Sequence, residues 1–139
     1  MMKWYKDGLY PEWHISGKNF SPKQLKKKYP NILLRAENEK TDIGKRGRFK
    51  DREFGYGSCV LVVKEKVVYK LDWILNFILS NQKQIRELGV DDELIWIFWC
   101  GNQGNMELSP EKISKIQKTG NHLNMNYYYI DDEQTAFID

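Results

Sequence analysis

Residues 13–25 read Trp-His-Ile-Ser-Gly-Lys-Asn-Phe-Ser-Pro-Lys-Gln-Leu, and residues 97–113 read Ile-Phe-Trp-Cys-Gly-Asn-Gln-Gly-Asn-Met-Glu-Leu-Ser-Pro-Glu-Lys-Ile. Each stretch is an apolar run followed by a Gly/Asn turn, an apolar residue and Ser-Pro. A serine before a helix accepts a hydrogen bond from a backbone N–H of the first turn, and proline is favoured at the first helical position. The pattern therefore predicts two strand-to-helix connections, with helices that begin next to Ser21 and Ser109.

Three helices are expected. The first runs from Ser21 to about Tyr29, before Pro30, and the last runs from about Pro110 to Lys118, with Gly120 as its C-cap. The longest helix is predicted from Tyr69 to about Leu88, because its apolar residues recur at helical spacing.

Five strands are expected around these helices. They cover Glu12–Ser16, Asn31–Glu37, Ser58–Lys64, Glu93–Cys100 and Asn121–Ile130. Alternation predicts which residues share a face: Trp13 with Ile15 in the first strand, and Leu94, Trp96 and Phe98 against Ile95, Ile97 and Trp99 in the fourth.

The order of elements predicts an α+β fold. Strand, helix, strand, long loop, strand, helix, strand, helix, strand suits a ferredoxin-like or related split α/β sandwich, with a mostly antiparallel sheet and helices on one face. The 139 residues indicate a single domain over 1–139. Within it, residues 1–10 form an aromatic lead-in and residues 131–139 an acidic tail.

Composition narrows the class of protein. Five Trp, eight Tyr and six Phe indicate a packed domain. The chain shows no signal-peptide pattern and no apolar run long enough for a bilayer. Its two cysteines, Cys59 and Cys100, lie in apolar runs and are interpreted as small buried hydrophobic residues. A cytoplasmic protein without membrane contact is expected.

Positive charge is concentrated in the first part of the chain. Residues 1–52 hold fourteen Lys and Arg against six Asp and Glu, whereas residues 53–139 hold eight against thirteen. The basic run Lys45-Arg-Gly-Arg-Phe-Lys-Asp-Arg52 lies in the irregular segment 38–57. It lacks the strand–GxxxxGK[ST]–helix context of a phosphate-binding loop. A solvated loop, a surface for an acidic protein and a nucleic-acid contact are all compatible with it.

Residues that carry out catalysis are scarce. Only two histidines occur, His14 and His122, and they lie close together if the first and last strands pair. They are the only obvious general bases on which an enzyme hypothesis could rest. No Cys, His, Asp and Glu cluster has the spacing of metal ligands, so neither a metal nor a cofactor is predicted. The chain is therefore interpreted as non-catalytic.

The pattern resembles a family of small, uncharacterised bacterial domains of ferredoxin-like fold, similar to the immunity proteins of toxin systems. The matching stretches cover most of the chain: Trp13–Leu25, Asp42–Gly47, Ser58–Val63, Tyr69–Leu88 and Ile95–Tyr128. The family often has a Trp in the strand after the basic loop, and residues 58–63 contain none. The resemblance implies a short, cytosolic and catalytically silent protein, with no catalytic residues to transfer.

The sequence thus predicts an interaction protein of the immunity type that binds and neutralises a cognate toxin. The expected contact residues are Arg46, Arg48, Phe49 and Arg52, because Arg and aromatic residues dominate interface hot spots. The alternative is a nucleic-acid or nucleotide-binding module that uses the basic loop 44–52. Either form is expected to be a monomer or a homodimer.

Overall fold

The computed structural model describes residues 9–101 and 106–129. Its elements follow in the order β1 (Leu9–Gly17), α1 (Pro22–Lys28), β2 (Leu33–Asn38), β3 (Gly57–Val62), α2 (Lys70–Arg86), β4 (Asp92–Gly101), α3 (Pro110–Thr119) and β5 (His122–Tyr129). A short 3-10 turn, Gly47–Phe49, lies in the loop between β2 and β3.

The five strands form one mixed, mostly antiparallel open sheet in the order β2-β3-β1-β4-β5. β3 lies between β2 and β1, and β1 lies between β3 and β4, so two split β-α-β units interlock. All three of these pairings are antiparallel. The α3–β5 unit extends this arrangement, because β5 lies beside β4 in parallel. The predicted α+β class and sheet type are confirmed.

The sheet has one face covered by helices, and its residues form the core. Trp13, Ile15, Leu61, Ile95 and Ile97 project to this side and are almost completely buried. They pack with the apolar side of α2, which contributes Leu71, Ile74, Leu75, Ile78 and Ile85. The faces predicted for the first and fourth strands are confirmed by this packing.

The turn after β1 belongs to the first of the two Ser-Pro stretches, residues 13–25. A Cβ atom on Gly17 would lie 1.9 Å from the carbonyl oxygen of Gly89, so only glycine permits this approach between β1 and the α2–β4 turn. Phe20 is buried beneath the turn. The Ser21 hydroxyl then accepts from the Gln24 N–H at 3.4 Å, and Pro22 begins α1.

The second Ser-Pro stretch, residues 97–113, forms a similar helix N-terminus. The Ser109 hydroxyl accepts from the Lys112 N–H at 3.2 Å, and Pro110 begins α3. Gly120 ends this helix in the left-handed conformation, with a φ of 68°. Both predicted N-caps and the predicted C-cap are confirmed.

A polar network joins the α3–β5 unit to the rest of the domain. The buried indole N–H of Trp13 donates to the Asn121 side-chain oxygen at 2.8 Å. The Asn121 amide in turn donates to Glu93 at 3.0 Å, and Glu93 pairs with Arg86. Arg86 also donates to the Thr119 carbonyl at 2.9 Å. The network therefore connects β1, β4, α2 and the end of α3.

Most predicted element boundaries are correct to within one or two residues, with one larger correction at the start. Residues 9 and 10 do not belong to a lead-in: β1 begins at Leu9, because this segment pairs with β4 as far as Leu9–Trp99. Residues 1–8 of the predicted lead-in and the predicted tail 131–139 lie outside the described residues. None of the helices in the described part of the chain has the length and apolar character needed to cross a membrane.

Candidate interaction surface

The loop between β2 and β3 is ordered by its own backbone hydrogen bonds. The Gly44 N–H donates to the Arg52 carbonyl and the Asp51 N–H donates to the Gly44 carbonyl, each at 2.9 Å. Further along, the Gly55 N–H donates to the Lys40 carbonyl at 2.9 Å. A Cβ on Gly44 would lie 2.1 Å from the Phe49 carbonyl oxygen, so glycine is required beneath the 3-10 turn. The segment predicted to be irregular is thus a compact folded loop.

A cluster of cations and rings forms the outer part of this loop. The guanidinium carbons of Arg48 and Arg52 lie 5.1 and 5.9 Å from the centre of the Phe49 ring. Arg52 also donates to the Arg48 carbonyl. Phe54 and Tyr56 pack against Phe49, with ring centres 5.2 and 5.9 Å from its own. Three of the four predicted contact residues, Arg48, Phe49 and Arg52, are therefore brought together; we call them the Arg–Phe cluster.

Arg46, the fourth predicted contact residue, lies apart from this cluster. With Lys45, Phe54 and Ala36 it lines a concavity of about 580 Å³ between the loop and the edge of β2. Arg46 is exposed to solvent, as are Arg48 and Arg52 of the Arg–Phe cluster. Residues 45–52 carry five Lys or Arg against the single Asp51, whereas Glu37 and Asp42 also line the concavity, so the positive charge is concentrated on segment 45–52.

The sheet face away from the helices is rich in aromatic side chains, and we call it the open sheet face. Tyr10 stacks on Phe98 with ring centres 5.2 Å apart, and Phe98 meets the edge of Tyr128 at 5.8 Å. The ring centre of His14 lies 5.1 Å from that of Trp96. All five rings are partly or largely accessible. No lysine of the described strands lies on this face, and Arg35 is its only arginine.

A buried carboxylate lies at the centre of the open sheet face. Glu12 is 8 % exposed and accepts from both the Nε and the Nη2 of Arg35, while His14 Nε2 lies 3.3 Å from its other oxygen. Burial raises the pKa of Glu12, but the hydrogen bonds from His14 and Arg35 and the charge of Arg35 outweigh it, so the pKa lies below its ordinary value of 4.5. The ionised carboxylate is thus held in place, and the Arg35 guanidinium stays half exposed beside it.

Three concavities connect the open sheet face with the basic loop. One of about 300 Å³ is lined by Trp96, Phe98, Tyr128 and Arg35. The next, of about 430 Å³, shares Arg35 and adds His14, Tyr56 and Ala36. The third is the concavity at Arg46, which shares Ala36. A partner can therefore contact the aromatic rings and the basic loop at the same time.

The two histidines are not neighbours, which corrects the conditional expectation from the sequence. β1 and β5 do not pair, because β4 lies between them. His14 and His122 both lie opposite Leu94, one on each side, so two interstrand spacings of roughly 5 Å separate their backbones. The His14 Nε2 instead lies 3.3 Å from the Glu12 carboxylate.

The cysteines are buried on opposite faces of the sheet. Burial, with smaller effects of Glu37 and Glu39, raises the pKa of Cys59 to about 12. Burial also raises the pKa of Cys100. Both thiols are buried, as the sequence predicted, and their raised pKa keeps them protonated at neutral pH. Within residues 9–101 and 106–129, no three His, Cys, Asp or Glu side chains are grouped as metal ligands would be.

No family model, curated protein or solved structure matches this chain.

The open sheet face is the part of the candidate surface that sequence reasoning missed. Alternation placed Trp96 and Phe98 on one side of the fourth strand, but it did not show which other strands lie beside them. The missing information was the pairing of β1 with β4, which brings Tyr10 onto Phe98 and His14 close to Trp96.

Proposed function

We propose that this protein is a non-catalytic interaction protein of the immunity type, which binds and neutralises a cognate toxin in the bacterial cytoplasm. The observation that carries the proposal is the Arg–Phe cluster, whose exposed guanidinium groups are held against a ring by the backbone bonds of a folded loop. Such an ordered arrangement loses little entropy on binding, and Arg with aromatic residues is the usual composition of a hot spot.

The charge of the loop indicates the chemistry of the partner. The positive charge of segment 45–52 attracts an acidic protein and accelerates its association. Among the described strands, the adjoining open sheet face carries no lysine and is rich in aromatic rings, as the centres of protein interfaces are. We therefore propose that the toxin presents an acidic patch to the loop and apolar side chains to the rings.

The resemblance to bacterial immunity proteins supports the same proposal. It rests on the matching stretches named in the sequence analysis, which cover most of the chain, and the α+β fold is compatible with it, although such a fold hosts many functions.

The test is a binding measurement with the purified product of a neighbouring toxin gene, combined with protection of cells that express that toxin. The double variant Arg48→Glu/Arg52→Glu is expected to weaken binding more than about 100-fold and to abolish protection. The matched control, Lys27→Glu/Lys28→Glu, makes the same charge change at two exposed residues of α1. It should stay within about tenfold of the wild type.

Two results would contradict this proposal. One is the absence of binding to the neighbouring gene product. The other is an equal loss in both double variants, because that would show only a response to net charge.

Binding of single-stranded nucleic acid is the second candidate function. It is favoured by the continuity of the aromatic rings with the basic loop, since bases stack on rings while cations contact phosphates. It is the weaker candidate because Arg35 is the only cation that the described strands place on the open sheet face. Oligonucleotide binding that falls steeply with salt, and that Trp96→Ala weakens, would favour it over the toxin proposal.

A further inference from the structure

The two edges of the sheet differ in how they are protected. Exposed edge strands present unpaired backbone groups, and soluble proteins usually interrupt or charge them. The β2 edge shows both devices: its register shifts between Arg35 and Asn38, Ala36 has a φ of 53°, and Arg35 and Glu37 add charge. This edge is therefore unsuited to pairing with another strand.

The β5 edge has none of these devices. β5 runs without a shift of register for eight residues, and within the described residues it pairs only with β4. Its sequence, His-Leu-Asn-Met-Asn-Tyr-Tyr-Tyr, contains no Lys, Arg, Asp, Glu, Pro or Gly. A regular, uncharged edge of this length is suited to pairing with a further strand.

Exposed apolar side chains accompany this edge on the helix side of the sheet. Leu123 and Met125 lie opposite Ile95 and Ile97 of β4, which belong to the core, yet they are 39 % and 41 % exposed. Ile113 of α3, on the same side, is 53 % exposed. An occupant of the edge would therefore bury apolar surface as well as form backbone hydrogen bonds.

We propose that β5 pairs with β5 of a second copy of this chain, antiparallel across a twofold axis. The occupant is a second copy because β5 has no Lys, Arg, Asp or Glu to repel its own image, and an antiparallel pair is self-complementary under twofold symmetry. An axis perpendicular to the sheet joins the two sheets into one of ten strands. It brings Leu123 and Met125 of both copies together on the helix side and leaves both open sheet faces accessible.

The test is the mass of the full chain in solution, measured by light scattering after size exclusion over a range of micromolar concentrations. The wild type is expected at twice its 16.6 kDa chain mass. Leu123→Lys/Met125→Lys places four cations at the axis and should weaken the dimer by more than about tenfold. The control, Leu33→Lys, changes a comparably exposed leucine on the β2 edge and should leave the dimer intact.

A mixing experiment separates loss of pairing from loss of folding. Chains with Met125→Lys and chains with Met125→Glu are each expected to be mainly monomeric, whereas an equimolar mixture should form dimers because opposite charges meet at the axis. A monomeric wild type at every concentration would overturn the proposal. A dimer that survives Leu123→Lys/Met125→Lys would overturn it as well, because it would place the contact elsewhere.

Discussion

At the scale of single residues, Glu12 makes the clearest prediction. Its pKa in the folded protein lies below 4.5, so its contribution to stability is complete above the unfolded value and is lost as the pH falls through the folded value. Glu12→Gln should destabilise the protein by about 1 kcal/mol near neutral pH, since the Arg35 partner is half exposed. It should also flatten the loss of stability in acid. Urea midpoints from about pH 7 to about pH 3 test this prediction. An acid profile of Glu12→Gln that matches that of the wild type would refute the prediction.

At the scale of elements, the two Ser-Pro helix starts are predicted to differ in strength. Ser109→Ala should cost about 1 kcal/mol of unfolding free energy, which is typical of a lost N-cap. Ser21→Ala should cost more, because Ser21 also donates to Glu39, whose other oxygen accepts from the Lys23 N–H at 3.2 Å. Glu39→Gln, introduced into the wild type and into Ser21→Ala and measured by urea unfolding, isolates this extra contact. Equal costs for the two serines would show that the Glu39 contact contributes nothing.

The elements also show what sequence reasoning can reach. Caps and strand faces were predictable because Ser21, Ser109 and the alternation around Trp96 act over a few neighbouring residues. Strand order was not, because the contacts between β1 and β4 join residues far apart in the chain. The basic loop was visible in composition, but the stacking of Arg48 and Arg52 on Phe49 depends on a folded backbone. The candidate surface was therefore only half predictable, since its aromatic part exists only after the sheet has assembled.

At the scale of the whole molecule, Asn121 connects the α3–β5 unit with the split β-α-β core. Asn121→Ala leaves the buried Trp13 N–H without its partner and should cost about 1–3 kcal/mol. Native-state hydrogen exchange should show the loss mainly in β5, whose opening becomes easier, and less in β3. Asn76→Ala removes a surface contact between α2 and α3, the bond from Lys115 Nζ at 3.1 Å, and should cost under about 1 kcal/mol. Equal loss of protection in β3 and β5 would mean that the α3–β5 unit does not open separately.

The central position of β1 has a consequence for synthesis on the ribosome. This strand emerges first, yet its two neighbours, β3 and β4, emerge only after the segments around Leu61 and Ile95 have been translated. Trp13 and Ile15 therefore remain exposed in the nascent chain until most of the domain has left the exit tunnel. Chaperones that bind short apolar segments are expected to engage residues 9–17 during this interval, and to release them as β1 pairs first with β3 and then with β4.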